Sequence, residues 1–352
     1  MTLIKKINVQ HVRVHEKYSL DVSPNVTVVT GPNGSGKTTL IEALYIALQG
    51  SSFKGVDTDI LATGAPWYRI DIELEDEASR SVKFDPTKTT GRKQFIIDKK
   101  THYRLTPAYK YPVVLFEPED LRLLSGSPSR RRQFIDHFIS QLDPQYSVAL
   151  RRYERALKQR NALLKQHSAT NDSLFVWDVS LSEYGAYIIS QRIRFIDELN
   201  QRLNTVYATI SHTDDTVKMR YSEAAHANTK QKLLADLHHH INKDMMVGFT
   251  SSGPHRHDLL FDFNNAPALS VASRGEVRTV VLALKFLEVD IIESITGKKP
   301  VILLDDVFSE LDESRQNYLI DSTRENQIII TSATNNSRLE TDYLTRLTGK
   351  DQ

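Results

Sequence analysis

The octapeptide GPNGSGKT at residues 31–38 limits this chain to a narrow class of folds. It satisfies the pattern G-x-x-x-x-G-K-[ST], which is meaningful when a strand leads into it and a helix leads out. Both flanks are present. NVTVVTG (25–31) is a β-branched run stopped by Gly-Pro, and KTTLIEALYIALQG (37–50) carries apolar residues at helical spacing with Gly50 at its end. Such a loop turns backbone N–H groups toward a phosphate chain at a helix N-terminus. The expected nucleotide contacts are Gly31, Pro32, Asn33, Gly34, Ser35, Gly36, Lys37, Thr38 and Thr39. Lys37 is expected to reach the β- and γ-phosphates, and the Thr38 hydroxyl to hold Mg2+.

A second segment supplies acids. VILLDDVFSELD (301–312) begins as a continuous apolar strand of the kind buried on both faces in a parallel sheet. Asp305 falls at the C-terminal end of that strand, where ligands sit in α/β sheets. It is expected to hold Mg2+ through water, and Asp306 to orient or deprotonate an attacking water. Lys37, Asp305 and Asp306 are therefore the candidate catalytic residues. These two segments describe a P-loop nucleoside triphosphatase with ATP and Mg2+ as cofactors. Kinases, GTPases, helicases and transporter subunits all remain open on them.

Strand texture also marks WYRIDIELED (67–76), RKQFIID (92–98), PVVLF (112–116), DLLFDF (258–263) and QIIITS (327–332). From Pro118 to about Asp258 the chain is mostly helical and polar. SVALRRYERALKQRNALLKQ (147–166) and the run at 182–210 carry apolar stripes among charges, with HSATNDS (167–173) as the turn between them. The expected fold is α/β: a P-loop ATPase lobe from residues 1–122 and 265–352, with an inserted, mainly helical lobe from 123–264 that carries an antiparallel helical arm.

Composition narrows the function classes. With 352 residues and 40% apolar content, the chain has enough material for one large domain or two smaller ones. The net charge is only +1, so nucleic-acid binding has to rest on local patches. The absence of cysteine excludes disulfides, zinc fingers and thiol nucleophiles. No apolar run approaches bilayer length and the N-terminus lacks a secretory pattern, so a cytoplasmic protein with no membrane partner is expected.

The stretch SVASRGEVRT (270–279) turns a generic triphosphatase into a more specific one. Ser273 Oγ and the Gly275 N–H, at the start of a helix, make a second anion site. S-x-G-[QE] shortly before an acidic strand resembles the signature of ABC-type ATPases. That resemblance implies that Ser273, Gly275 and Glu276 dock on a γ-phosphate bound by a partner subunit, and that Ser309 and Asp312 of SELD form a loop crossing a dimer interface.

Four further blocks are similar to the RecF family of bacterial replication and repair proteins. They are GSSFKG (50–55), PEDLRLLSGSPSRRRQFID (118–136), SGPHRHDL (252–259) and LLDDVFSELDESRQNYL (303–319). Membership implies a homodimer formed with ATP, binding to single-stranded, gapped and duplex DNA, and slow ATP hydrolysis. It also implies action with RecO and RecR to load RecA at single-strand gaps, and a role in SOS induction. Glu276 stands where glutamine is common, Lys54 where arginine is common, and Asp306 is shorter than the glutamate typical of transporters. These departures bear on fast hydrolysis more than on ATP binding. The rival classes are a transporter's nucleotide-binding subunit and an SMC-like structural head.

Arg130, Arg131 and Arg132 are candidate DNA contacts, with ion pairing inside the lobe as the alternative. Arg151 and Arg152 read as a solvated helix face. The block His255, Arg256, His257 and Asp258 reads either as structural or as sensing nucleotide. The run His238, His239 and His240 points in different directions from a helix, which favours an exposed face over a metal site.

Overall fold

The structure, a computed structural model, describes residues 3–75, 78–166, 170–224, 226–308, 311–333 and 343–347. The chain divides into two units, one ending at Asp120 and resuming at Glu288, the other running from Leu121 to Leu287. The first unit opens with β1 (Ile4–Val12), β2 (His15–Asp21), β3 (Val26–Thr30), α1 (Lys37–Gln49) and α2 (Asp57–Ile60). It continues through β4 (Tyr68–Leu74), β5 (Ser79–Phe84), β6 (Lys93–Ile97), β7 (Lys100–His102) and β8 (Val113–Phe116). The second unit holds α3 (Pro128–Leu142), α4 (Pro144–Lys165), α5 (Asn171–Ser211), β9 (Val217–Tyr221), α6 (Thr229–His239), α7 (Ile241–Val247), β10 (Leu259–Phe263), β11 (Ala266–Pro267) and α8 (Ala268–Val271). The division falls within α9 (Arg274–Thr296), after which the first unit resumes with β12 (Val301–Asp305), α10 (Glu313–Ser322), β13 (Ile328–Ser332) and β14 (Tyr343–Arg346).

Two sheets share one helix in the first unit. The antiparallel sheet has the order β2-β1-β4-β5-β6-β7, and the parallel sheet has the order β14-β3-β13-β12-β8. α1 touches strands of both. That explains why nearly all of it is buried, with Leu40, Ile41, Leu44 and Leu48 joining Ile7, Val9, Ile70, Leu303 and Ile329 in one apolar cluster. A helix apolar all round is one that is covered all round. Gly50 ends it in the left-handed conformation at φ 93°, its N–H closing on Ile46 O. A buried amide ties the chain's start to the parallel sheet. Gln327 accepts from Ile4 N at 2.9 Å and donates to Ile4 O and Ser23 O, each at 2.7 Å.

The parallel ladder positions the chemistry. β13 lies between β3 and β12, with Thr30 opposite Ser332 and Asp305 opposite Thr331. The phosphate loop and Asp305 therefore leave the same edge of the sheet, one strand apart.

In the second unit, α4 and α5 form the expected antiparallel pair, but α5 is longer than its apolar stripe suggested. It begins at Asn171, capped by Thr170 and Ser173 bonding reciprocally, so the second half of HSATNDS is already helix. At 41 residues, it spans about 60 Å at the α-helical rise. Residues 265–287, grouped with the ATPase lobe from sequence, cluster instead with the second unit. The cause is local: β11 pairs with β10, which pairs in turn with β9, and α8 packs against the hairpin.

The second unit is locked by buried charges. Arg160, fully buried on α4, donates to Asp178 at 2.6 Å, Asp244 at 2.7 Å and Thr250 Oγ1 at 3.0 Å. Arg160→Ala leaves both carboxylates buried without their cation. We expect it to lower the unfolding free energy by about 3–5 kcal/mol in urea titrations, the range found when one partner of a buried pair is removed. A loss below about 1 kcal/mol, the value of an exposed pair, contradicts the assignment.

Candidate functional site

The loop between β3 and α1 depends on its glycines. Gly34 and Gly36 sit at φ 82° and 92°, where a side chain is strained. At Gly36 a Cβ would also fall 2.3 Å from His15 Nε2, because the buried His15 ring packs under the loop with Nε2 3.1 Å from Gly36 O. At Gly31 a Cβ would fall 2.7 Å from Ser35 Oγ. Ser35 Oγ is buried and has no hydrogen-bond partner among the described residues. Pro32, Asn33 and Gly34 are exposed on the loop's outer side, whereas Thr39 is buried in the first turn of α1.

Lys37 and the acids converge here. Lys37, 4% exposed, donates to Gly31 O at 2.9 Å and Pro32 O at 3.2 Å, with Asp306 Oδ2 3.8 Å away. The Thr38 hydroxyl donates to Asp305 Oδ1 at 2.7 Å, joining α1 to the end of β12. Thr331 Oγ1 lies 3.1 Å from the same oxygen. Asp306 turns into the left-handed region at φ 54°, fixed by its N–H on Thr331 O and Oγ1 at 3.2 and 3.0 Å. Burial pushes the Asp306 carboxyl above the usual carboxylate range, with Lys37 pulling the other way and Asp305 adding to the rise. A carboxylate raised toward neutrality is a better proton acceptor for water.

Three residues were not read as site residues from sequence. Thr331 is one. Lys54, noted only as standing where arginine is common, is the second: its Nζ lies 3.1 Å from Asp305 Oδ2. Glu42 is the third. Fully buried on α1, it takes Arg13 at 2.6 and 3.0 Å and accepts the Ser52 hydroxyl. Ser52 Oγ then accepts from Lys54 N at 2.8 Å and Gly55 N at 3.1 Å, so the segment after α1 is moored to the phosphate-loop helix. A buried glutamate in an apolar helix was the one visible signal.

The donor set at Thr38 and Asp305, one hydroxyl and one carboxylate, suits Mg2+, a hard cation that keeps water and phosphate ligands. Among the described residues, no three His, Cys, Asp or Glu side chains gather as a protein-only metal cage.

The 273–276 stretch forms a capping box. Ser273 N donates to Glu276 Oε2 at 2.6 Å, and Glu276 N to Ser273 Oγ at 3.3 Å. This gives the glutamate at 276 a structural reason. Ser273 is exposed and Gly275 half-buried, and they follow Leu269 and Val271 of α8, whose side chains are 59% and 52% exposed. Asp312 caps α10 by accepting from Arg315 N at 3.0 Å, and Ser309 lies outside the described residues.

The arginine run is largely committed inside its own unit. Arg131 is 8% exposed, binds both oxygens of Asp258 at 2.8 Å and donates to Leu124 O and Gly126 O. Arg132 donates to His257 O at 2.7 Å, and Arg130 is half-buried in the first turn of α3. The 255–258 block is knitted into the same network. His255 meets Tyr153 OH at 2.6 Å and Thr250 O at 3.1 Å, Arg256 stacks over Phe249, and His257 meets Tyr221 OH at 3.0 Å. Burial, with arginines nearby, pushes both His255 and His257 down to about 4. His238 and His239 are exposed, and His240 Nδ1 lies 3.0 Å from Ser252 Oγ.

With this geometry in place, the similarities to known proteins are specific. The AAA domain family matches residues 6–243. A DNA replication and repair protein RecF from Clostridium novyi (strain NT) is 34% identical over 334 residues, covering 93% of this chain and 92% of the relative. The solved structure of the recombination mediator protein RecF with ATP, in the RecFOR pathway, superposes with a TM-score of 0.87 at 29% identity, covering 99% of this chain and 96% of that one. An Smc head bound to the C-terminal winged-helix domain of ScpA reaches 0.51 at 15% identity, over 94% of this chain and 90% of that one, and shows shared fold alone. No helix among the described residues is long and apolar enough to cross a membrane.

The two histidines give a pH dependence with a definite sign. Their folded-state values near 4 lie below the ordinary 6.5, so the unfolded chain binds more protons between these limits. Stability is full above about pH 6.5 and is lost as pH falls toward 4. His257→Asn is expected to flatten that slope in denaturation measured across the window. An unchanged slope contradicts the assignment.

Proposed function

The chain belongs to the RecF family of DNA replication and repair proteins and carries its AAA domain, and we propose that it is an ATP-driven DNA-binding dimer of recombinational repair. The observation that carries this is the Thr38–Asp305 hydrogen bond at 2.7 Å, which joins phosphate loop and acid strand, with Lys37 and Asp306 beside it. Backbone N–H groups of the loop and the buried Ser35 hydroxyl hold the phosphate chain. Lys37 turns from the carbonyls of Gly31 and Pro32 to the β- and γ-phosphates. Thr38 and Asp305 would hold Mg2+, which would supply Lewis-acid charge to the phosphates. Asp306 orients the attacking water and takes its proton.

Ser273 and Gly275 of a second copy complete the cradle over the γ-phosphate. The exposed Leu269 and Val271 beside Ser273 supply apolar area for that contact. ATP binding closes the dimer on single-stranded, gapped or duplex DNA, and slow hydrolysis reopens it. In this reading the protein acts in the cytoplasm with RecO and RecR, assists RecA loading at single-strand gaps and supports SOS induction. Arg130, half-buried in the first turn of α3, remains a candidate to meet a DNA phosphate together with Arg131 and Arg132.

The test is DNA binding on gapped, single-stranded and duplex substrates with and without ATP and Mg2+. ATP is expected to tighten binding at least severalfold in the wild type, and Lys37→Met to abolish that gain while keeping the ATP-free affinity. A wild type whose DNA affinity ignores ATP contradicts the proposal.

A further inference from the structure

We propose that Lys54 is a built-in competitor of the divalent cation: it holds Asp305 Oδ2 until the metal displaces it. The inference rests on the reading of Thr38 and Asp305 as the magnesium pair of a nucleotide site.

Asp305 is 2% exposed, and a carboxylate so buried needs compensating charge. Its Oδ1 has two hydroxyls, Thr38 and Thr331. Its Oδ2 has the Lys54 ammonium at 3.1 Å. Lys37 serves elsewhere, bonded to Gly31 O and Pro32 O and facing Asp306. The site therefore pairs two acids with two lysines, each lysine on its own acid. A magnesium ion ligated by this carboxylate, or held through one water, brings two positive charges close to the Lys54 position. Two cations cannot share one buried carboxylate without strong repulsion.

The surroundings let the lysine leave without burying an unpaired charge. The Lys54 side chain is 38% exposed, against 3% for Asp305, so the ammonium has a path to water. It sits between α1 and α2 in a segment with no regular secondary structure. The segment's backbone stays fixed when the ammonium leaves: Ser52 is bonded to the buried Glu42, which Arg13 neutralises, Lys54 N and Gly55 N donate to Ser52 Oγ, and Val56 N donates to Asp59. Glu42 is four residues after Thr38 on α1, so one helix face carries both the metal-binding hydroxyl and the anchor of the competing lysine.

The magnesium concentration needed to fill the site is therefore higher than Thr38 and Asp305 alone would require.

The experiment is a magnesium titration at fixed concentration of a fluorescent, slowly hydrolysed ATP analogue, read as bound nucleotide. Lys54→Met is expected to lower the midpoint about two- to fivefold, the scale of a partly exposed ion pair. Lys54→Arg, which keeps the cation, is expected to stay within about twofold of wild type. A mutation that merely damaged the site would raise the midpoint, so an unchanged or raised value in Lys54→Met overturns the proposal. A wild type that binds no nucleotide at any magnesium concentration defeats the reading of the site itself. Binding with an unaltered midpoint in Lys54→Met defeats only the competition.

Discussion

One hydrogen bond organises the first unit: the Thr38 hydroxyl on Asp305, 2.7 Å across a sequence separation of 267 residues. It exists because β13 slots between β3 and β12 and keeps them in parallel register. A strand slipped by one residue would turn its side chains to the opposite face. The bond would then be lost. The buried α1 and the Gln327 amide hold that register from two sides, one by apolar contact and the other by fixing Ile4 and Ser23 to the end of the ladder.

The parts of this arrangement that could be read from sequence were those encoded locally. Residues 31–38 carry their own turn chemistry, and VILLDD announces a strand buried on both faces. The roles of Lys54, Glu42 and Thr331 were hidden because each comes from a neighbour far away in the chain. Lys54 reaches Asp305 from a segment that Ser52 and Glu42 anchor. The start of α5 was misjudged because its first three residues, Asn171, Asp172 and Ser173, are polar enough to read as a turn. Glu276 looked like a departure from a signature, yet S-x-x-E is itself the sequence mark of a capping box, and the structure uses it that way.

The second unit follows a different logic. Arg160, Arg192 and Arg131 each neutralise buried or half-buried aspartates, and the 255–258 block bonds into that network through Tyr153, Tyr221 and Arg132. Buried ion pairs contribute little net stability compared with apolar packing, but breaking one is costly. They fix how α3, α4 and α5 meet β9 and β10. Arginines that looked available to DNA phosphates are for the most part already committed, which shifts attention to exposed residues of the unit. Ser273 is among these, at the start of a helix and beside exposed leucine and valine.

The central claim is that each ATP site is shared between two copies, with the loop from one and Ser273 from the other. The direct measurement is ATP turnover after mixing Lys37→Met protein with Ser273→Arg protein. Each alone lacks one half of every site and is expected to be inactive. A mixed dimer has one complete site, with the loop of the Ser273→Arg chain facing the signature of the Lys37→Met chain. Equal mixing is then expected to restore about a quarter of wild-type turnover, since half of the dimers are mixed and each has one of two sites. A mixture no more active than its separate components contradicts the account.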